Sequence, residues 1–239
     1  MIKKLKSVNP IGKTIMFFGR NDCHNTTQGL KLMLASGFDV YLIINSGKND
    51  KFPLEVMELE CDYIICFRSW FILSQEVLDI PKSFAINLHP GPPNYPGSGC
   101  VNFAIYNDEI NFGVTTHIME KKVDSGSIID YELFPITEKC NLHRVLISTH
   151  QKLFNQLNNL IVNLAAYGDE WVNTKINDNK EVHWTGKRRK VKELIQERQI
   201  TFDMDETEIN KRIRAFHHPD YPVYVEIEGK RFYYNSKMV

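Results

Sequence analysis

A carboxamide and an imidazole stand two residues apart at Asn87 and His89, inside the stretch Ala85 to Gly99, AINLHPGPPNYPGSG. An amide offers both a donor and acceptors, and a histidine exchanges a proton near neutral pH, so the pair has the parts for acid–base and polar chemistry. Phe84, Ile86 and Leu88 alternate with Ala85, Asn87 and His89, so a strand here puts both polar groups on one face. Pro90, Gly91, Pro92, Pro93, Pro96, Gly97 and Gly99 follow at once, removing backbone donors and permitting positive φ. The strand must therefore end in a rigid, irregular loop. In open α/β sheets the carboxyl edge of the strands is where ligands bind. A plainer reading has His89 capping the strand and Asn87 bonding the loop backbone.

Each strand that could hold such a pair shows as an apolar run. Thr14 to Gly19 (TIMFFG), Asp39 to Ile44 (DVYLII) and Tyr63 to Phe67 (YIICF) suit strands buried on both faces. Between the first two, Thr26 or Thr27 can cap a helix running to Ala35. This β-α-β order predicts a twisted parallel sheet with covering helices. The turn after the first run, GRNDCHNTTQG, has one glycine where the dinucleotide fingerprint needs three, which argues against a nicotinamide enzyme. Arg20, Asn21 and His24 in that turn are placed either to touch a diphosphate or simply to be solvated.

Farther on, Pro53 to Glu60 reads as a short helix and Val101 to Tyr106 as another. Phe112 to Met119 and Ser127 to Phe134 read as strands, joined by the polar loop EKKVDSG (120–126) that contains Asp124. An Asp before Ser-Gly is ordinary turn chemistry, and a catalytic acid is the alternative. Leu142 to Tyr167 is the longest helical pattern, ended by Gly168. Residues 173–192 are polar and basic, with KRRK at Lys187 to Lys190, and read as a solvated linker or a segment lying across the domain. Asp205 can cap a helix through Phe216, followed by strands Val223 to Glu226 and Arg231 to Tyr234 joined by Glu228-Gly229-Lys230.

The expected organisation is thus an α/β, doubly wound, mostly parallel sheet in residues 1–170, a linker in 171–199, and a C-terminal helix with a β-hairpin in 200–239. A hairpin with this much aromatic surface suggests docking or a homodimer. The 29 basic and 29 acidic residues balance, so neither nucleic acid nor an anionic membrane is an expected partner. Five scattered cysteines without a C-x-x-C pair read as reduced thiols. No apolar run approaches the ~20 residues that span a bilayer, and Met1 to Lys6 lacks the apolar region of a signal peptide, so a cytoplasmic location is expected.

NLHPGPPNYPGSG, followed by EKKVDSGSII, resembles the folate-dependent formyltransferases, whose pattern is Asn-x-His with a Pro- and Gly-rich loop and then Asp-x-Gly on a Rossmann-like domain. The resemblance covers roughly residues 12–165, and the tail IRAFHHPDYPVYVEIEGK is similar to the nucleotide-sugar N-formyltransferase branch. It implies Asn87, His89 and Asp124 as the catalytic set, without a metal. It implies N10-formyltetrahydrofolate as donor, held by Trp70, Phe71, Ile72 and Leu73 and by Glu120, Lys121, Val123 and Asp124. The implied acceptor is a dTDP-linked amino sugar, most closely dTDP-4-amino-4,6-dideoxyglucose, for O-antigen or other surface polysaccharide. Its contacts would come from Arg20, Asn21, Tyr95, Gly97, Ser98, Phe216, His217 and Tyr221. In this chemistry Asn87 donates to an oxyanion, His89 accepts the amine proton, and Asp124 orients His89 or relays protons.

Competing readings are a 3-amino sugar enzyme, formylation of methionyl-tRNA or of glycinamide ribonucleotide, hydrolysis of formyltetrahydrofolate, and a non-catalytic nucleotide-sugar-binding module. The tail leaves little room for an RNA-binding barrel, the charge balance lacks a basic footprint, and the full set of three residues speaks against a mere binder.

Overall fold

The computed structural model describes residues 2–137 and 140–235. Met1 and residues 236–239, which belong to the expected N-terminal and C-terminal segments, lie outside the described residues. A seven-stranded sheet runs in the order β1-β3-β2-β4-β5-β6-β7. Its strands are β1 (Ile2–Leu5), β2 (Thr14–Arg20), β3 (Asp39–Asn45), β4 (Cys61–Phe67), β5 (Pro81–His89), β6 (Asn111–Ile118) and β7 (Ile128–Pro135). β3, β2, β4 and β5 are mutually parallel, β1 and β6 oppose their neighbours, and β7 turns back to the common direction. Five of the seven strands therefore point one way.

Alternation explains how the sheet is covered. Ile15, Phe17, Tyr63, Ile65, Phe67, Ile86 and Leu88 enter one core, beneath α1 (His24–Ala35), α4 (Leu142–Tyr167) and α5 (Asp169–Asp178). Met16, Phe18, Ile64, Cys66 and Ala85 enter the core of the opposite face, with Val77 and Leu78 of α2 (Gln75–Leu78). A strand buried on both faces has no reason to alternate in polarity, and all seven residues of β4 are buried. The α4 boundaries follow local chemistry: the Asn141 side chain accepts from Arg144 N at 3.1 Å at one end, and Gly168 takes φ 59° at the other.

A third core joins α3 (Cys100–Tyr106), the edge of β6 and β7, and α7 (Glu206–Phe216), whose N-terminus is capped by Asp205 accepting from Glu208 N at 2.8 Å. The hairpin of β9 (Tyr224–Ile227) and β10 (Lys230–Tyr233) gains a third strand, β8 (Gln199–Ile200), parallel to β9. Two residues beside a hairpin carry too little pattern to show as a strand in sequence. Residues 171–199, expected to connect, include α5 and α6 (Val191–Gln196), and Val172 is fully buried in the main core. The polar composition that suggested a linker belongs to the outward face of α5 and to a strap across the site.

Candidate active site

β5 delivers Asn87 and His89 to the carboxyl edge on the face shared with Ala85, and antiparallel pairing sets His117 of β6 directly opposite Asn87. The Asn87 amide donates to His117 Nε2 at 3.1 Å. Asp124, in the turn between β6 and β7, stands 3.4 Å from His89 Nδ1 and 3.4 Å from His117 Nε2. It holds φ 48°, a left-handed conformation that Asp tolerates better than most residues, and its Oδ2 accepts from Gly97 N at 2.7 Å. The structure thus gathers Asn87, His89, Asp124 and Gly97, and adds His117. His89, His117 and Asp124 are buried and Asn87 is half-buried.

The partners decide the protons. His89 Nε2 meets the Tyr95 carbonyl at 2.9 Å and Nδ1 meets the Asp124 carboxylate, so both ring nitrogens face acceptors and both must carry hydrogen. Burial works against a charged ring, but Asp124 and then Cys100 outweigh it, and the pKa of His89 is raised to about 9. Burial also pushes the Asp124 carboxyl up, and His89, His117 and the Gly97 amide more than reverse it, holding the group well below the usual carboxylate range. At neutral pH His89 is an imidazolium paired with an aspartate and already holds the proton it was expected to accept. His117 differs: its Nδ1 donates to the Ile118 carbonyl at 2.7 Å, which leaves the lone pair of the neutral ring on Nε2, next to Asn87.

A strap from the 182–189 region closes over this group. The Trp184 ring lies 5.5 Å from His89 and 4.8 Å from His117, edge-on to both, and its Nε1 donates to the Gly126 carbonyl at 2.8 Å. Arg188 Nη2 donates to the Asp124 carbonyl at 2.9 Å, and Ser98 N donates to the Arg189 carbonyl at 2.9 Å. Gly97, at φ 93°, packs its α-carbon against the Arg189 backbone with no room for a Cβ. The basic run Lys187 to Lys190 therefore lies across the domain. Beside the strap a cavity of about 540 Å³ is lined by Glu120, Lys122, Ser125, His183, Trp184 and Arg188 among others.

The other expected ligand residues are scattered. Ile72, Glu120, Lys121 and Val123 are exposed around the carboxyl edge, whereas Phe71 packs edge-on to Phe52 at 5.3 Å and Leu73 is buried in a core. Trp70 carries Arg20 at 4.1 Å and Lys48 at 4.9 Å from its ring centroid. Asn21 is exposed and donates to Asp22 and Ser46. Tyr95 is buried, its hydroxyl donating to Glu109 at 2.8 Å, so its backbone carbonyl is what reaches His89. Phe216, expected to touch substrate, has none of its surface exposed; Phe103 and Tyr106 surround it. His217 is half-buried against Tyr234, and Tyr221 is exposed beneath the Arg198 guanidinium. The five cysteines are unpaired. Among the described residues no cluster of His, Cys, Asp or Glu is arranged to hold a metal ion, and no helix is long and apolar enough to cross a membrane.

His117 and Trp184 escaped the sequence reading. The signal for His117 was its place on the expected strand Phe112 to Met119; only the pairing with β5 and its register show that it faces Asn87. Trp184 carried no signal, lying in a polar segment.

Curated relatives include the methionyl-tRNA formyltransferase of Clostridium novyi (strain NT), 32% identical over 121 residues, 49% of this chain and 39% of that protein. That of Macrococcus caseolyticus (strain JCSC5402) is 29% identical over 210 residues, 86% of this chain and 64% of that protein. The chain spans less than two thirds of the length of these relatives. Among solved structures, a sugar N-formyltransferase from Shewanella sp. FDAARGOS_354 shares the fold with a TM-score of 0.70 at 17% identity, covering 93% of this chain and 96% of that one. The N-formyltransferase from Helicobacter canadensis, solved with folinic acid and dTDP-3-aminofucose, shares it with a TM-score of 0.66 at 20% identity, over 91% and 85% of the two chains. The profile of the formyl transferase family matches residues 19–158, more than half of the chain and the part that carries Asn87, His89, His117 and Asp124, so the chain belongs to that family.

Proposed function

We propose that the protein transfers the formyl group of N10-formyltetrahydrofolate to the amine of a dTDP-linked amino-dideoxy sugar. The buried meeting of Asn87, His89, His117 and Asp124 at the carboxyl edge carries the reading of formyl transfer. For the acceptor, the reading is supported by the sugar N-formyltransferase from Shewanella, whose fold matches 93% of this chain and 96% of its own. The donor lies along the strand-end segment 70–73 and the exposed residues 120–123 that lead to the buried Asp124.

Attack of the amine on the formyl carbon creates an oxyanion and an ammonium. The Asn87 amide donates to the oxyanion, and the fixed imidazolium of His89 adds positive charge close by. The ammonium proton goes to His117 Nε2. Once protonated, that nitrogen becomes a donor to Asp124 Oδ1 and no longer accepts from Asn87, which frees an amide N–H for the oxyanion. Asp124, opposed by both rings, relays the proton toward the departing folate nitrogen. In the cell we place the enzyme in the cytoplasm as a homodimer joined through the C-terminal hairpin, making a precursor of O-antigen or another surface polysaccharide. Phe232 and Tyr233 of that hairpin are 57% and 58% exposed.

The test measures tetrahydrofolate release with dTDP-4-amino-4,6-dideoxyglucose and a dTDP-3-amino sugar side by side. Turnover with the first is expected, together with a loss of at least ~100-fold in His89→Ala. Formate release that needs no amine, or turnover with methionyl-tRNA alone, overturns the reading.

A further inference from the structure

Near the site four cations meet without an anion. Arg20 ends β2, and Arg68 directly follows β4, its neighbour in the sheet, with φ 56°. Arg20 and Lys48 both lie on the Trp70 ring. Arg198, just before β8, lies over Tyr221 at 4.9 Å from the ring centroid. Arg68 Nη1 donates to the Cys23 thiol at 3.4 Å. Among the described residues no carboxylate comes within ion-pair distance of any of the four. Arg20 Nε and Arg198 Nε are buried without a hydrogen-bond partner.

The charges act on one another. Burial and then Arg68 lower the pKa of Arg20, and burial followed by Arg198 and Arg20 lowers that of Lys48. His150 of α4, beside the cluster, is pushed down to about 4 by burial and by Arg68 and Arg20. Like charges held together in a partly desolvated place raise the free energy of the empty protein. Other cations of the chain do meet carboxylates, as in Lys13 with Asp62 or Arg212 with Glu197 and Glu208. An arrangement left unpaired at the carboxyl edge, with guanidinium forks that suit phosphate oxygens and two aromatic walls, suits a compact ligand bearing two or more negative charges.

We infer that Arg20, Lys48, Arg68 and Arg198, between the Trp70 and Tyr221 rings, bind the diphosphate of a nucleoside-diphosphate ligand, and that the C-terminal unit completes the site by supplying Arg198 and Tyr221. The ligand class rests on the acceptor proposed above; the four residues and the part played by the C-terminal unit extend it. The balanced charge of the whole chain favours this small ligand over a nucleic-acid backbone.

Calorimetric titration of the full chain with inorganic pyrophosphate and with dTDP tests the site, beside thermal unfolding of the ligand-free protein. Both ligands are expected to bind, more weakly as salt rises. Lys48→Met and Arg198→Met should each weaken dTDP by at least ~10-fold while raising the ligand-free Tm, because each removes a charge-assisted bond to the ligand and a source of repulsion without it. A merely structural role would lower Tm and leave affinity unchanged. No heat with either ligand, undiminished dTDP affinity in both variants, weakening of folinic acid rather than dTDP, or tighter binding of tRNA than dTDP overturns the site. If dTDP binds as described but no dTDP-amino sugar is formylated, the acceptor reading fails and the site stands. If such sugars are formylated with KM unchanged in both variants, the site fails alone.

Discussion

His89, His117 and Asp124 meet under Trp184, and Arg20, Lys48, Arg68 and Arg198 meet around Trp70; both groups sit at the carboxyl edge of one sheet, yet they handle charge in opposite ways. In the first, a buried carboxylate faces two imidazoles, one on each oxygen, a backbone amide donates to the oxygen beside His89, and the Trp184 strap packs over the group. In the second, cations face one another and two guanidinium nitrogens have no partner. A self-neutralised group is ready for proton transfer before any substrate arrives, whereas an uncompensated one is finished by what it binds. The comparison teaches that a group suited to moving a proton and a group suited to holding an anion are distinguishable by their electrostatics alone.

The comparison breaks most severely if Asp124 is dispensable. Asp124→Asn keeps a residue that tolerates the left-handed turn but strands a buried imidazolium, and should cost about 3–5 kcal/mol of stability and roughly a thousandfold in turnover. Denaturant unfolding and tetrahydrofolate release measure both. Next, His117→Ala should lower kcat by about 10²- to 10⁴-fold with little change in dTDP affinity; a variant that turns over normally would return the base role to His89.

The pairing also fixes a pH dependence. His89 has a folded pKa raised to about 9 over an ordinary 6.5, so its contribution is fully present below pH 6.5 and fades as pH rises through about 9, a loss of roughly 3 kcal/mol. The depressed carboxyl of Asp124 stabilises above its unfolded pKa of 3.8, and that stability is lost as pH falls below it. Because the two belong to one pair, the curve should be a single plateau between these limits. A stability profile that is flat from pH 6.5 to 9 in unfolding experiments contradicts an imidazolium at His89. Gly97→Ala should cost about 1–3 kcal/mol, since φ 93° and the Arg189 backbone both reject a Cβ. The smallest effect is expected from Trp184→Phe, which keeps a ring over the histidines but loses the bond to the Gly126 carbonyl, about 1 kcal/mol in unfolding.

Much of this was legible in the chain. The apolar runs that became β2, β3 and β4 are legible because strands covered on both faces show no polar alternation, and α4 announced its end through Gly168. Asn87, His89 and Asp124 stood out through the rigid loop and the family pattern. Strand β1 at the sheet edge, α2 with four residues and β8 with two were too short to carry a period. Phe216 looked like a ligand contact beside His217, His218 and Tyr221; its complete burial follows from which face of α7 meets α3, which neighbouring letters do not encode.

Residue order alone settled the strand types, the placing of a carboxamide and an imidazole at a strand end, and the family, because these depend on spacing of two or three residues along one backbone. Folding in three dimensions decided who holds which proton. Whether His89 is a base or a cation depends on the Tyr95 carbonyl and a carboxylate 35 positions away, and His117 becomes a partner of Asn87 only through antiparallel register. Charge acts through space and falls with distance, so four cations drawn from positions 20, 48, 68 and 198 are a single feature only where the chain brings them together.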